Sequence, residues 1–367
     1  MPTAVLELQQ EALEVARGAA ALRDVKEDAW IVGTSASFSR ELGARGWLGM
    51  VWPKEHGGGG RTPLERFVVV EALIGEGAPM ASSWMADRQI GPSLLQYGTD
   101  AQRAKHLPGI LTGEDMWAIG MSEPDAGSDV SAIRTTAVRD GDEFVINGQK
   151  IWTSGAEDAA YIYLVCRTDP TAPAHQGLSD IIVDMSSTGI TIKPIIDITQ
   201  NRHFCEVYFD DVRVPVENLI GEPNQSFKQV MRQMEHERGG IDRLVSNRAL
   251  YRDTLARVDG SDPLHRQAIA RFETIYRVAR HMILREVLGQ APTGWSAITK
   301  TLATEFEVEV ANWCGSAVGP ETMLVNRYSR AITYAPGYTI QGGTTQILRN
   351  IMGERVLGLP REPRPQA

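Results

Sequence analysis

The apolar residues of this 367-residue chain change their spacing twice, and those two changes limit the fold more than any other feature. Up to about residue 115 the pattern is helical. Leu6, Leu13 and Leu22 stand among Ala, Glu and Gln, which favour helix. A Gly/Pro loop, WPKEHGGGGRTP (52–63), interrupts this region, and Phe67, Val70, Leu73 and Ile74 then recur at helical intervals. From Trp117 to Pro215 the runs become short and β-rich: EFVINGQKIW, YIYLVCRT, SDIIVDM, ITIKPI and EVYFDDVRV. The pairs Asp140-Gly141 and Asn147-Gly148 read as turns, the second making INGQKIWTSGA a hairpin. Beyond Pro215 longer helical stretches return, punctuated near Gly260, Gly294 and Gly319. One of them sets Phe272, Ile275, Ala279, Met282, Ile283 and Val287 on a single broad face. The pattern predicts an α+β protein: a helical N-terminal domain (1–116), a central β-domain (117–216) and a C-terminal helical bundle (217–367).

Charge divides along the same line. Residues 1–215 hold 30 acids and 18 bases, a balance of −12, whereas residues 216–367 hold 16 acids and 19 bases, or +3. A chain at −9 overall is a poor general binder of nucleic acid, which needs Lys and Arg against phosphates. The basic part still suits a phosphorylated small ligand. Three scattered cysteines, Cys166, Cys205 and Cys314, provide neither a disulfide framework nor a zinc cluster. The opening MPTAVLELQQEALEVARGAA lacks the basic start and apolar run of a signal peptide, and no stretch approaches the roughly 18 apolar residues of a membrane span. A cytoplasmic protein, associated with neither membrane nor nucleic acid and holding no metal, is the expectation.

Four segments have the residue types of a binding site: IGMSEPDAGSD (119–129), INGQKIWTSGA (146–156), MEHERGGIDR (234–243) and TIQGGTTQILRN (339–350). Each has an ordinary structural use as a loop, a core aromatic or a helix start capped by Thr344 or Thr345. Taken together they meet the needs of a flavin. A helix beginning after Gly-Gly-Thr-Thr presents N–H groups and its positive dipole end. The small polar loop suits a hydrogen-bonding ring edge, and Trp152 suits the ring face.

These segments, in this order along the full length, resemble the acyl-CoA dehydrogenase family. IGMSEPDAGSD resembles its flavin-and-substrate loop, NGQKIWTSGAEDAAYIYLVCRT the strands that follow, EVYFDDVRVPVENLIGE the exit from its middle domain, and QGGTTQILRNIMGERVLGLPR its C-terminal signature. The resemblance implies FAD as cofactor, an acyl-CoA thioester as substrate, and electron-transfer flavoprotein or a similar protein as electron acceptor. The implied reaction is α,β-dehydrogenation: a carboxylate removes the α-proton and a hydride leaves the β-carbon for flavin N5. It also implies roles by position. Met121, Ser122, Trp152, Thr153, Ser154, Thr344 and Gln346 match flavin contacts, and Ser128 and Arg238 match contacts to CoA, with Arg243 a turn further on.

Many members place the catalytic Glu just before the Gly-Thr of the C-terminal signature, where this chain has Gly342. Others carry it on the first helix of the C-terminal domain, immediately before an Arg. Glu237, followed by Arg238, occupies that place. Glu235 lies two residues away, about 200° round a helix, so only one of the two can face a flavin. The main-chain N–H of Gly342 remains suited to polarising the thioester carbonyl, and Gly239-Gly240 suits room for a bulky acyl group. The family's Arg-x-x-Phe-Gly and Gly-Gly-x-Gly motifs, by which a neighbouring subunit holds FAD, are replaced by RQAIARFETIYR and WCGSAVGPETM. Certain actinobacterial members acting on steroid-derived thioesters show the same loss with α2β2 assembly. A homotetramer or an α2β2 heterotetramer with a related subunit is therefore expected. Two alternatives stand beside the dehydrogenase: a partner subunit with an incomplete FAD site, and a flavin oxidase or monooxygenase on the same fold.

Overall fold

The structure, a computed structural model, describes residues 1–230 and 240–361. The described residues divide into two compact units: residues 1–29, 63–78 and 240–361 form the helical one, and residues 30–62 and 79–230 form the other, which contains the sheet. No helix among the described residues is long and apolar enough to cross a membrane.

In the helical unit, Thr3–Ala20 packs against Pro63–Glu76. The first helix buries Val5, Ala12, Ala16 and Ala20, a seam of small residues that lets two backbones approach closely. Leu6 and Leu22 are exposed, and Leu22 lies beyond the helix. Pro63–Glu76 is buried continuously from Phe67 to Val70 and from Ala72 to Glu76. The C-terminal bundle is built around Pro263–Val287 and Trp295–Val318, separated as expected by Gly294, and the second of these ends at Gly319. The buried face of Pro263–Val287 is Phe272, Tyr276, Ala279 and Ile283, so Tyr276 takes the place expected for Ile275.

The other unit carries an eight-stranded sheet. Its strands are β1 (Trp117–Gly120), β2 (Thr136–Asp140), β3 (Glu143–Ser154), β4 (Tyr161–Arg167), β5 (Leu178–Asp184), β6 (Ile190–Ile195), β7 (Phe204–Pro215) and β8 (Leu219–Ile220). The order is β6-β7-β3-β2-β4-β5-β8, with β1 parallel beside β4. Alternate residues of β3, β4, β5 and β7, among them Ile146, Ile162, Leu164, Ile181, Val183, Val207 and Val212, make the core. The helix Asp100–Thr112 is fastened to this layer by Gln102. Its side chain closes a capping box with Thr99 and donates to the carbonyls of Glu217 and Leu219 at 2.7 and 2.8 Å.

Asp140-Gly141 opens the β2–β3 turn as expected. Asn147-Gly148 does not turn the chain, and β3 runs through it as one twelve-residue strand rather than a hairpin. The pair forms an irregularity against β7 instead. Gly148 has φ +148°, a Cβ there would sit 2.5 Å from Thr135 Oγ1, and the Asn147 amide exchanges two 2.9 Å hydrogen bonds with Asp211.

Candidate active site

Met121 and Ser122 continue directly from β1, and β3 runs alongside them. The Ser122 carbonyl accepts from the Ile151 N–H at 2.9 Å, and the Met121 carbonyl accepts from Lys150 Nζ at 3.1 Å. The structure thus brings together Met121, Ser122, Trp152, Thr153 and Ser154. Ser128 lies on the exposed part of the same loop.

Glu123 anchors this loop from beneath. Its carboxylate accepts from the N–H groups of Arg134 and Thr135 at 2.7 and 2.9 Å and from Lys150 Nζ at 2.8 Å. Burial alone would raise the Glu123 carboxyl, but Lys150 and these N–H donors hold it below the ordinary carboxylate range. The pair draws residues 121–135 onto β3, while Pro124, Asp125, Gly127, Ser128 and Asp129 remain outward.

Trp152 is displayed at a cost in backbone energy. It lies at a register shift between β3 and β7, has φ +60° and leaves its side chain 54% exposed. A non-glycine residue in that conformation costs on the order of 1–2 kcal/mol, and such strain concentrates at functional sites. Phe204 meets the indole edge-on at 5.7 Å, and His203 lies 3.9 Å from Phe204. Burial pushes His203 down to about 4 despite nearby Asp197, so the ring is neutral near pH 7. Thr153, next to the indole, has a buried Oγ1 without a hydrogen-bond partner among the described residues. An exposed aromatic face beside an unsatisfied hydroxyl fits a planar heterocycle with polar edges.

In the helical unit, the Gly-Gly-Thr-Thr turn follows the short helical turn Ala335–Thr339. Gly342 and Gly343 have φ +66° and +91°, conformations that favour glycine. Of the two expected candidates, Thr344 is the N-cap, and its Oγ1 accepts from the Ile347 N–H at 3.2 Å. That bond occupies one donor expected to be offered to a ligand. Gln346 is exposed. Arg243 is a buried side chain whose Nη1 lies 3.5 Å from the Gln341 oxygen, beside Gly342. Gly240 lies outside any helix, and the next helix is Asp242–Val245. Glu235, Glu237, Arg238 and Gly239 lie outside the described residues.

Two buried lysines were not singled out from sequence. Lys150 stands in a strand run where a cation is ordinarily solvated. Its signal was its place two residues before Trp152, on the face that alternation turns inward. Lys300 falls on the buried stripe of Trp295–Val318 with Ala297, Thr304 and Glu307 at helical intervals. A lysine among the Ala and Thr residues of that stripe was the readable sign.

Comparison with known proteins assigns the family. Three family models match in order: the acyl-CoA dehydrogenase N-terminal domain over residues 6–114, the middle domain over 118–212 and the C-terminal domain over 224–357. Acyl-CoA dehydrogenase IpdE1 of Mycobacterium tuberculosis (strain ATCC 25618 / H37Rv) is 34% identical over 342 residues, covering 89% of this chain and 88% of that protein. Among solved structures, the Tcur3481-Tcur3483 steroid ACAD superposes with a TM-score of 0.90 at 33% identity, covering 99% of both chains. The ChsE4-ChsE5 complex from Mycobacterium tuberculosis gives 0.88 at 29% identity, again over 99% of both.

Proposed function

The chain belongs to the acyl-CoA dehydrogenase family, an oxidoreductase family that uses FAD, and from that premise we propose that it binds FAD and desaturates a bulky, steroid-derived acyl-CoA with Glu237 as the base. The carrying observation is the Gly-Gly-Thr-Thr turn. Its first glycine stands where many members have their carboxylate, and with φ +66° it has neither a side chain to accept a proton nor a conformation suited to one. Glu237, directly before Arg238, supplies the carboxylate at the family's other position.

Glu237 takes the α-proton, and the Gly342 N–H donates to the thioester carbonyl oxygen, where negative charge develops as that proton leaves. When bound, FAD supplies N5 as acceptor for the β-hydrogen with its electron pair, so that a carbon–carbon double bond forms. Met121, Ser122 and Thr153 suit the polar edge of the ring system, and Trp152 suits its face. Ser154, Thr344 and Gln346 are assigned to the same cofactor by family position. Ser128, Arg238 and Arg243 are assigned to the CoA portion. The steroid class rests on the likeness to the steroid ACAD. Electron-transfer flavoprotein is the proposed acceptor.

We assign the chain to an assembly with a related subunit. Met323, the last residue of the segment that replaces the family's Gly-Gly-x-Gly motif, and the next two residues, Leu324 and Val325, are consecutive apolar residues exposed at 88%, 65% and 85%. Anaerobic addition of a panel of acyl-CoAs, with and without related chains, tests the reading. A steroid-side-chain thioester should bleach the flavin absorbance, and Glu237→Gln should abolish that bleaching. Bleaching at the wild-type rate in the Gln variant would remove Glu237 as base, and rapid turnover with oxygen alone would favour an oxidase.

A further inference from the structure

Lys300 is fully buried on Trp295–Val318, where its Nζ donates to the main-chain carbonyls of Tyr338, at 3.1 Å, and Gly343, at 2.8 Å. Those carbonyls bracket the segment that contains Gly342. On the N-terminal side the chain is already determined: Ile340 and Gln341 both donate their N–H to the Gly337 carbonyl at 3.0 Å, and the buried Tyr338 hydroxyl donates to Asp28. Gly342 and Gly343 follow, and two successive glycines are the part of a chain with the widest choice of φ and ψ. The ammonium grips the Gly343 carbonyl and so ends that freedom one residue beyond Gly342. A buried ammonium is expensive unless its donors are satisfied, and its bonds to neutral carbonyls are strong because the charge is desolvated.

We propose that Lys300 is the positioning residue of the reaction: by tying the Tyr338 and Gly343 carbonyls together it aims the Gly342 N–H that polarises the substrate thioester. The inference rests on the assignment of that N–H to the thioester. In this role Lys300, fully buried, acts through the turn. It also polarises the Gly343–Thr344 amide, because a hydrogen bond to a carbonyl strengthens the N–H of the same peptide group.

The test uses the FAD-loaded protein, with its partner chain where assembly requires one, and 4-dimethylaminocinnamoyl-CoA as probe. The absorption of this chromophore moves to the red as its carbonyl is polarised. Wild-type protein should show the shift. Lys300→Met should retain the flavin and bind the probe, yet lose at least half the shift and slow substrate-driven flavin bleaching by about 10- to 100-fold, somewhat less than deletion of an oxyanion donor. Lys300→Arg, which keeps charged donors, should recover part of both. A full shift and a bleaching rate within threefold of wild type in Lys300→Met would overturn the proposal. Should the Met variant not fold, Lys300→Gln is read by the same two measurements, and an undiminished shift there overturns it equally. Absence of the shift in wild type would instead refute the role of Gly342, and with it the role of Lys300.

Discussion

Lys150 and Glu123, 27 residues apart in sequence, meet at 2.8 Å as a buried ion pair, and this contact joins the SEPDAGSD loop to the NGQKIW strand. Neither charge is in water, so removing one strands the other. Lys150→Met should destabilise the sheet unit by about 3–5 kcal/mol, and Glu123→Leu with Lys150→Met should cost less than the two single changes added. Urea unfolding followed by tryptophan fluorescence measures this. A Lys150→Met protein as stable as wild type would show that the pair is not holding the loop.

Trp152 predicts a trade between stability and function. Its φ of +60° is one that glycine adopts without strain, so Trp152→Gly should raise the thermal midpoint through relief of about 1 kcal/mol. The same change removes the aromatic face and should weaken flavin retention roughly 2- to 13-fold, the range of an aromatic contact worth about 0.5–1.5 kcal/mol. Dialysis of the reconstituted protein and the residual flavin per chain report the second effect. Tighter flavin retention in the variant would exclude Trp152 from the cofactor site.

Two buried groups in the sheet unit should tilt stability in opposite directions with pH. His106, packed edge-on against Trp117 and Tyr161, is pushed down to about 4 by burial, with Lys105 adding to the shift. Between about pH 4 and 6.5 the unfolded chain binds this proton and the folded one does not, so stability rises with pH by up to about 3 kcal/mol. His106→Gln should flatten that part of the profile. Asp180 is pushed up to about 6 by burial, partly offset by bonds from Ser226 and Tyr163. The folded state then keeps a proton that the unfolded state releases near 4, so stability falls by up to about 3 kcal/mol as pH rises from about 4 to 6. Asp180→Asn should remove that fall. Urea midpoints across pH 4–7 distinguish the two, and unchanged slopes would mean that both groups titrate normally.

Gly342→Ala tests the turn. With φ +66°, alanine there is strained by about 1–2 kcal/mol, which the turn relieves by moving. Flavin bleaching by acyl-CoA should slow more than tenfold while CoA affinity changes little, because a misplaced donor is lost mainly in the transition state. Equal losses in binding and rate would place the effect on substrate capture.

The order of elements was readable because hydrophobic spacing reports which face of a helix or strand is buried. Trp117 to Pro215 is a sheet between helical regions, and Gly294 and Gly319 bound a long helix. A threonine cap was readable because a hydroxyl before a helical run has a nearby N–H to satisfy, and the structure chose Thr344 over Thr345. Asn147-Gly148 misled, since a turn-forming pair also suits a strand irregularity, and only the neighbours Thr135 and Asp211 decide between them. The first helix was legible as a helix, but close packing against Pro63–Glu76 decides that its inside is mostly alanine.

Local residue types and their spacing were enough for the helix–sheet–helix order, the family and four segments with the residue types of a binding site. They also limit the proposed base, because glycine at 342 has no side chain to accept a proton and Glu237 has one. Folding alone reveals that Lys150 closes on Glu123, that Trp152 stands out of a strand at positive φ, and that Lys300 grips the carbonyl next to Gly342. Each joins residues distant in the chain or depends on packing from a neighbouring strand. A buried charge is tolerable only where a folded partner replaces its water, and spacing along one chain does not specify that partner.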